Sequence, residues 1–333
     1  MGAIDPGTRP TPQARDQPQK GLPKSPIPPR MSHQQPPDHD QPGHTGHRER
    51  ILAIRRSTSY RQSHIDPDFL GRVELRPVRL QLELLKPDLI MREQGVQSTI
   101  VVFGGTRVVE QPIAEQRLAA AQAELAKAPH DPRRQRNLRI AERVLAKCHY
   151  YDEARAFAQL VSKHGQATPD GQPLEYVVCT GGGPGIMEAA NRGAHDLGAK
   201  SIGLNITLPF EQEPNSYITP ELCFEFKYFA IRKMHFLMRA KAMVAFPGGF
   251  GTMDELFEAL TLIQTRRMQQ LPIVLFGRDY WSKLIDWDRF VDEGTISPED
   301  LDLIQYAETA GECWRLIEDF YRLQPGERLP RGQ

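Results

Sequence analysis

Gly248, Gly249 and Gly251, followed by Thr252 and then Asp254, Glu255 and Glu258, set a main chain without side-chain bulk beside a group of carboxylates. Glycines let a backbone approach an anion closely, and the first free N–H groups of a helix carry partial positive charge, so a phosphate is the expected guest. Glu255 falls about one helical turn inside that junction and faces the same mouth. A carboxylate so placed can stabilise developing positive charge or activate a water. The flanking residues supply the elements that such a site needs. Ala242–Phe246 suits a buried parallel strand, and TMDELFEALTLIQT has helix periodicity with Leu256, Leu260 and Ile263 on one face.

A second junction of the same kind lies upstream. Tyr176–Asn191, YVVCTGGGPGIMEAAN, reads as an apolar strand, a glycine-rich turn and a helix. In an open parallel sheet the carboxyl ends of the strands share one edge, so both loops can line one crevice. Neither is a standard nucleotide signature. Ile186 stands where a GxGxxG series counted from Gly181 needs its last glycine, and no GK[ST] follows either loop, which argues against a dinucleotide dehydrogenase or a P-loop NTPase.

The pair GGGPGIMEAANRGA (Gly181–Ala194) and PGGFGTMDE (Pro247–Glu255), with Arg232 and Lys233 on a helix between them, resembles the LOG family. These are cytokinin riboside 5′-monophosphate phosphoribohydrolases and related nucleotide nucleosidases, with the hallmark PGGxGTxxE and an older label of possible lysine decarboxylases. The resemblance covers roughly residues 98–323. It implies hydrolysis of the N-glycosidic bond of a nucleoside 5′-monophosphate, AMP or a cytokinin riboside 5′-monophosphate, to free base and ribose 5-phosphate. It carries the catalytic arginine and glutamate onto Arg232 and Glu255. The phosphate then falls on Gly248, Gly249, Gly251 and Thr252, and Gly181, Gly182, Gly183 and Lys233 complete the substrate-binding set. The chemistry suits the residue types: glycosidic cleavage passes through an oxocarbenium-like state that a carboxylate stabilises, and a permanently charged guanidinium polarises the departing base. The resemblance also implies at least a homodimer.

Two other readings stand beside this one. A non-catalytic protein of the same fold, similar to molybdenum-cofactor carriers, would hold a nucleotide-like ligand without cleaving it. A pyridoxal-phosphate decarboxylase would need a Schiff-base lysine that the motifs do not call for. Asp254 and Glu258 read as helix-start and surface acids, since acidic residues favour the first turns of any helix. Gly104–Arg107 reads as a loop lining the cleft, and Cys179, inside an apolar strand, as a packing residue.

Strands are expected near residues 98–104, 176–181, 201–206, 242–246 and 272–276, with a short one near 303–307. Helices are expected near 152–164, 185–197, 229–240, 252–265, 279–291 and 310–322. This alternation predicts an α/β, doubly wound Rossmann-like parallel sheet forming a single domain over residues 96–325. Two additions accompany it. Residues 76–92 read as a helical arm begun by Pro77 and interrupted by Pro87, within a linker-and-arm region of 51–95. Residues 113–147, with Ala-rich halves flanking Pro129–Pro132, read as an inserted helical hairpin.

Composition agrees with an enzyme of small anions. The 333 residues carry 42 basic and 42 acidic side chains, and no basic cluster is interleaved with aromatics, so no nucleic-acid partner is expected. Residues 1–50 contain no aromatic and are rich in Pro, Gln and His, which predicts a disordered tail, with a second short tail at 326–333. The first segment lacks the apolar core of a signal peptide, and its irregularly spaced histidines favour no metal site. Cys148, Cys179, Cys223 and Cys313 form no CxxC pair, which suits reduced thiols and a cytoplasmic location. No cofactor, metal or membrane partner is expected.

Overall fold

Short runs of β-branched and apolar residues pair into one seven-stranded sheet, every neighbouring pair parallel. The computed structural model describes residues 44–166, 172–209 and 213–323. The strands are β1 (Thr99–Phe103), β2 (Val177–Thr180), β3 (Ser201–Ile206), β4 (Cys223–Phe226), β5 (Ala240–Ala245), β6 (Ile273–Phe276) and β7 (Ile304–Ala307), in the order β4-β3-β2-β1-β5-β6-β7. The chain winds outward from β1 to β4, then returns to the middle to start again at β5. The direction of winding therefore reverses between β1 and β5, the place where open α/β sheets bind ligands.

The chain divides at Asp66 and Pro67 into two compact units. The first holds helix α1 (His44–Arg56) and two 3-10 turns. The second holds the sheet with α2 (Pro67–Leu70), α3 (Arg76–Glu93), α4 (Gln111–Lys127), α5 (Pro132–Leu145), α6 (His149–Gly165), α7 (Ile186–His195), α8 (Phe229–Met238), α9 (Phe250–Gln264), α10 (Arg278–Leu284), α11 (Trp287–Asp292) and α12 (Ala310–Leu323). Among the described residues no helix is long and apolar enough to cross a membrane.

The central strands β1, β2 and β6 are buried on both faces, as is most of β5, and side chains alternate between two cores. Ile100 and Val102 of β1 join Ala242 and Val244 of β5 under a layer built from Tyr151, Phe157, Ala189 and Trp314. Val101 and Phe103 join Met243 and Ala245 on the opposite face, against Phe236, Leu256, Ala259 and Trp281. Each fully buried aliphatic or aromatic side chain contributes roughly 1.5–3 kcal/mol. A slip of one residue in β1 or β5 would exchange the two sets, so packing fixes the register on which the loops depend.

Several sequence expectations are corrected. The tail expected over 1–50 lies outside the described residues as far as residue 43, but from His44 the chain is helical. The run after Gly46 is rich in helix formers, and Arg55 and Arg56 in the last turn suit the helix dipole. The edge strand β4 is an addition to the expected strands, although Phe224 and Phe226 alternate with exposed Glu225. The single helix expected over 279–291 is two helices. Ile285 is extended, and the Asp286 carboxylate accepts the Arg289 N–H at 3.2 Å to start α11 afresh. The inserted hairpin is α4 and α5; Asp131 caps α5 by accepting the Arg133 N–H at 2.8 Å, and Pro132 takes the first helical position.

Pro87 does not interrupt the arm. Helix α3 runs through it, and Pro87 is buried. A proline removes the N–H that would reach the carbonyl four residues earlier, here that of Glu83. His235 of α8 supplies the replacement, with Nε2 at 3.2 Å from the Glu83 oxygen, so Nε2 carries the proton and donates. Burial lowers the His235 pKa, consistent with a neutral ring. The Glu83 side chain closes the link from the other side: its carboxylate accepts the Lys227 and Tyr228 N–H groups at 3.0 and 3.1 Å, capping α8 where Tyr228 provides no side-chain cap of its own. Arg239 just beyond α8 pairs with Asp88 of α3.

Substituting His235→Ala should cost about 1–3 kcal/mol, since it leaves a buried carbonyl without a donor. Pro87→Ala restores a main-chain N–H for the same oxygen. In chemical denaturation of the four-member mutant cycle, the His235→Ala cost should therefore shrink clearly in the Pro87→Ala background. An equal cost in both backgrounds would disprove the exchange.

Candidate functional site

Three loops meet at the carboxyl edge of β1, β2 and β5, joined by their backbones. The Gly105 N–H after β1 donates to the Pro247 carbonyl after β5 at 2.9 Å, and the Ile186 N–H at the start of α7 donates to the Gly105 carbonyl at 3.3 Å. Gly182 and Gly185 hold φ of +74° and +77°, a region that side chains disfavour, and a Cβ on Gly185 would run into the Gly105 carbonyl. The glycines of the β2 loop therefore serve first to let it lock onto the β1 loop.

A buried polar net holds the β2 loop from behind. Thr180 donates to Asn191 Oδ1 at 2.7 Å and accepts the Gly182 N–H at 3.0 Å, while Asn191 Nδ2 donates to Ser201 at 3.0 Å. Asn215 Nδ2 lies 3.1 Å from the carbonyls of both Gly182 and Gly183. A Cβ on Gly182 would strike the Asn205 side chain.

Helix α9 begins at Phe250, two residues before the expected start, so Gly251 and Thr252 belong to its first turn. Its N-cap, Gly249, provides no side-chain cap. A Cβ on Gly249 or Gly251 would meet nothing within 4 Å, so both positions border open space, and the first N–H groups of the helix have no partner within it. Gly248 differs: a Cβ there would strike Thr252, which is buried, and the Gly248 carbonyl accepts the Tyr280 hydroxyl at 2.6 Å. Gly248 and Thr252 thus shape the turn, whereas Gly249 and Gly251 leave room for a ligand.

Arg232 lies on the opposite wall. Its Nε donates to the Leu204 carbonyl at 2.7 Å, and its guanidinium sits 4.9 Å from the centroid of Phe236. A Cβ on Gly181 would lie 2.7 Å from Arg232 Nη2, so Gly181 makes room for the guanidinium. Burial lowers the Arg232 pKa and the charge of Glu255 raises it. An arginine remains protonated under that bias.

Glu255 is only 6 % exposed. Burial raises its pKa to about 7, against the opposing pull of Lys233 and Arg232. Lys233 Nζ sits 3.9 Å from Glu255, 2.8 Å from Asp254 and 2.9 Å from Glu258. Burial works against the Lys233 charge, but its hydrogen bonds to Asp254 and Glu258 outweigh that and raise its pKa. The ammonium therefore faces the acids of α9. Asp254 and Glu258, expected as plain helix acids, hold this lysine.

The structure thus sets Gly181 against Arg232, places Gly249 and Gly251 in the turn that begins the helix of Glu255, and puts Lys233 3.9 Å from Glu255. Cys179 is buried, and burial pushes its thiol up to about 12, as packing rather than nucleophilic use requires. Sequence reasoning did not single out Thr180, Asn191, Asn205, Asn215, Tyr280 or Glu83 as the groups that hold the site. Thr180 and Asn191 fall inside the second glycine motif, where a polar pair in an apolar strand and helix is a readable signal. Tyr280 and Glu83 are remote in sequence and carry none.

The family described as possible lysine decarboxylase matches residues 187–317. Cytokinin riboside 5′-monophosphate phosphoribohydrolase LOG7 of Arabidopsis thaliana is 34 % identical over 149 residues, 43 % of this chain and 66 % of that protein. LOG3 of the same plant is 32 % identical over 149 residues, with 43 % and 67 % covered. The probable phosphoribohydrolase LOG6 is 32 % identical over 149 residues and is 72 % covered. The match spans about two-thirds of these relatives and less than half of this chain. With the glycine-rich turns, the seven-stranded parallel sheet and these relatives taken together, the chain belongs to the LOG family of cytokinin riboside 5′-monophosphate phosphoribohydrolases.

Proposed function

We propose that the protein hydrolyses the N-glycosidic bond of a nucleoside 5′-monophosphate, releasing free base and ribose 5-phosphate. The observation that carries this reading is the position of Glu255, a buried carboxylate with a pKa near neutrality, one turn inside a helix whose N-terminus is uncapped and unobstructed. The 5′-phosphate binds the first N–H groups of α9 at Gly249, Gly251 and Thr252, with Gly248 shaping the turn. The anomeric carbon is thereby held toward Glu255, and binding energy from the phosphate positions the reacting atoms. Ionised Glu255 stabilises the oxocarbenium-like state or activates water, and Arg232 polarises the leaving base. Gly181, Gly182 and Gly183 wall the sugar or base. Lys233 acts through Glu255, keeping enough of it ionised near neutral pH. The four free cysteines fit a cytoplasmic setting.

A Schiff-base decarboxylase gains no support from Lys233, whose ammonium is held among three carboxylates. The reading as a pure binding protein makes the opposite prediction in a simple assay. A panel of nucleoside monophosphates scored for free base should give activity on at least one purine, AMP being the first to try; inactivity on the whole panel favours the binding protein. Adenosine should be a far poorer substrate than AMP, and Gly249→Val should abolish AMP binding at the α9 turn while circular dichroism stays native. Equal kcat/KM for adenosine and AMP would remove the phosphate assignment.

The Glu255 carboxylate gives a second test. The value of kcat/KM should rise with pH through about 7 as the free enzyme's carboxylate ionises. Glu255→Gln should lower kcat by orders of magnitude, with nucleotide affinity kept within about tenfold. Stability should move the other way. A carboxyl whose folded pKa is raised loses stability as pH climbs from the ordinary carboxylate range to about 7 and stays at that deficit above it. Glu255→Gln should therefore be more stable than the parent at alkaline pH, by about 1–3 kcal/mol, and should lose that advantage in acid. Near-normal turnover with nucleotide still bound would overturn the mechanism. Arg232→Ala should damage binding and turnover together. Glu258→Gln should lower turnover far less than Glu255→Gln, because Asp254 still holds Lys233, and Arg239→Ala should leave turnover near normal, at some cost in stability because Arg239 pairs with Asp88.

The helices that carry Arg232 and Glu255 also expose apolar side chains. Phe250 is 95 % exposed, and Phe229, Met234 and Met238 of α8 are also exposed. We assign this surface to a homodimer contact, since a patch of large apolar side chains left in water is unfavourable. Light scattering at micromolar concentration should give a dimer, and Phe250→Asp should shift it toward monomer. A monomeric parent protein would refute the assignment.

A further inference from the structure

The β1 loop and α5 frame a groove of about 440 Å³ outside the crevice. Arg107, Arg136, Arg139, Arg143 and Lys147 line it. The three α5 arginines follow one another at spacings of three and four residues, so they share a helix face. Among the described residues none of these five cations is ion-paired with a carboxylate. Among the acids of α4, α5 and the β1 loop, Glu110 pairs with Arg192, Glu124 with Lys127 and Arg134, Asp131 with Arg134, and Glu115 accepts from Gln111, which leaves exposed Glu142, next to Arg143 in sequence, against five cations. Like charges at three- and four-residue spacings repel. On a chain of zero net charge, this concentration of unpaired guanidinium groups calls for an external anion.

Burial and, to a lesser extent, the charge of Arg143 lower the Lys147 pKa. Five unneutralised cations exceed what one phosphate needs, and guanidinium groups match phosphate oxygens two at a time. The floor is apolar, formed by Val108, Ile140 and Val144, and no aromatic lines the groove. A single-stranded nucleic acid would call for aromatic rings on which bases stack. The volume lies in the range of small-molecule sites.

We infer that this groove binds a small molecule carrying an oligophosphate chain, such as a nucleoside triphosphate, with the phosphates on the arginines and its less polar part on the Val108–Ile140–Val144 floor. The site lies apart from the hydrolytic crevice and needs no chemistry at Glu255, so it stands whether or not the hydrolase reading holds. It touches the crevice through the chain itself. Arg107 is two residues from Gly105, and the Gly105 N–H donates to Pro247 at the start of the α9 loop. An occupant of the groove thus restrains the loop on which the phosphate turn rests.

Calorimetric titration of the full chain with ATP, inorganic tripolyphosphate, inorganic phosphate and an oligothymidylate tests this. ATP and tripolyphosphate should bind, and phosphate alone should be at least about tenfold weaker. Affinity should fall as salt is raised. Gly249→Val, which obstructs the crevice only, should leave ATP binding within about twofold. The exposed triple substitution Arg136→Ala, Arg139→Ala and Arg143→Ala should weaken it at least about tenfold, and Arg133→Ala, outside the groove, should not change it. If the triple variant fails to fold by circular dichroism, the pair Arg139→Gln and Arg143→Gln carries the same prediction. Three results would each overturn the inference: no binding of ATP or tripolyphosphate, binding lost in Gly249→Val but kept in the arginine variants, or tighter binding of the oligothymidylate than of tripolyphosphate.

Discussion

Two main-chain hydrogen bonds at the point where the sheet reverses its winding carry the rest of the architecture. The Gly105 N–H holds the Pro247 carbonyl, and the Gly105 carbonyl holds the Ile186 N–H. They tie the loops after β1, β5 and β2 into one surface. The residues proposed for hydrolysis stand on or beside that surface: the turn of α9, the guanidinium beside Gly181 and the buried Glu255. The glycines of these loops divide into two kinds as a result. Gly185, Gly182 and Gly248 let protein pack against protein, whereas Gly249 and Gly251 leave space.

Glu255 shows how burial and charge are set against one another in that surface. Burial alone would keep the carboxyl neutral, and Lys233 and Arg232 pull it back toward ionisation. Near neutral pH the group is poised between its two forms, the condition in which a carboxyl can give or take a proton at low cost. Lys233 can serve this purpose because Asp254 and Glu258 hold its ammonium in place. A helix with acids at its start and a lysine opposite is ordinary surface chemistry on its own; beside a buried carboxylate it sets the charge state of the site.

The arm α3 shows a structural dependence of the same sort. Pro87 frees a carbonyl, His235 takes it up, and the carboxylate of the same Glu83 caps the helix that presents Arg232. A helix outside the sheet is thereby fastened to the one that carries the guanidinium. The link rests on a side chain and a backbone group separated by about 150 residues, so it forms only once both helices have packed.

The sequence by itself determined the parallel sheet and the two glycine-rich turns, and offered Arg232 and Glu255 as candidates, Arg232 through the resemblance alone. The sheet and the turns are written in local periodicity, in strand–glycine–helix order or in a contiguous motif. It also located the arm and the hairpin, because proline and alanine-rich runs are local signals. Tertiary structure decided what depends on distance through space. Helix α3 continues past Pro87 because a donor arrives from α8; Gly248 packs on Thr252 while Gly249 faces open space; Lys233 turns toward the acids of α9. The same holds for Asn215, Tyr280 and the unpaired arginines of α5. Hydrogen bonds and burial between remote segments have no period in the chain, so only the folded arrangement reveals which polar groups are satisfied and which remain free for a ligand.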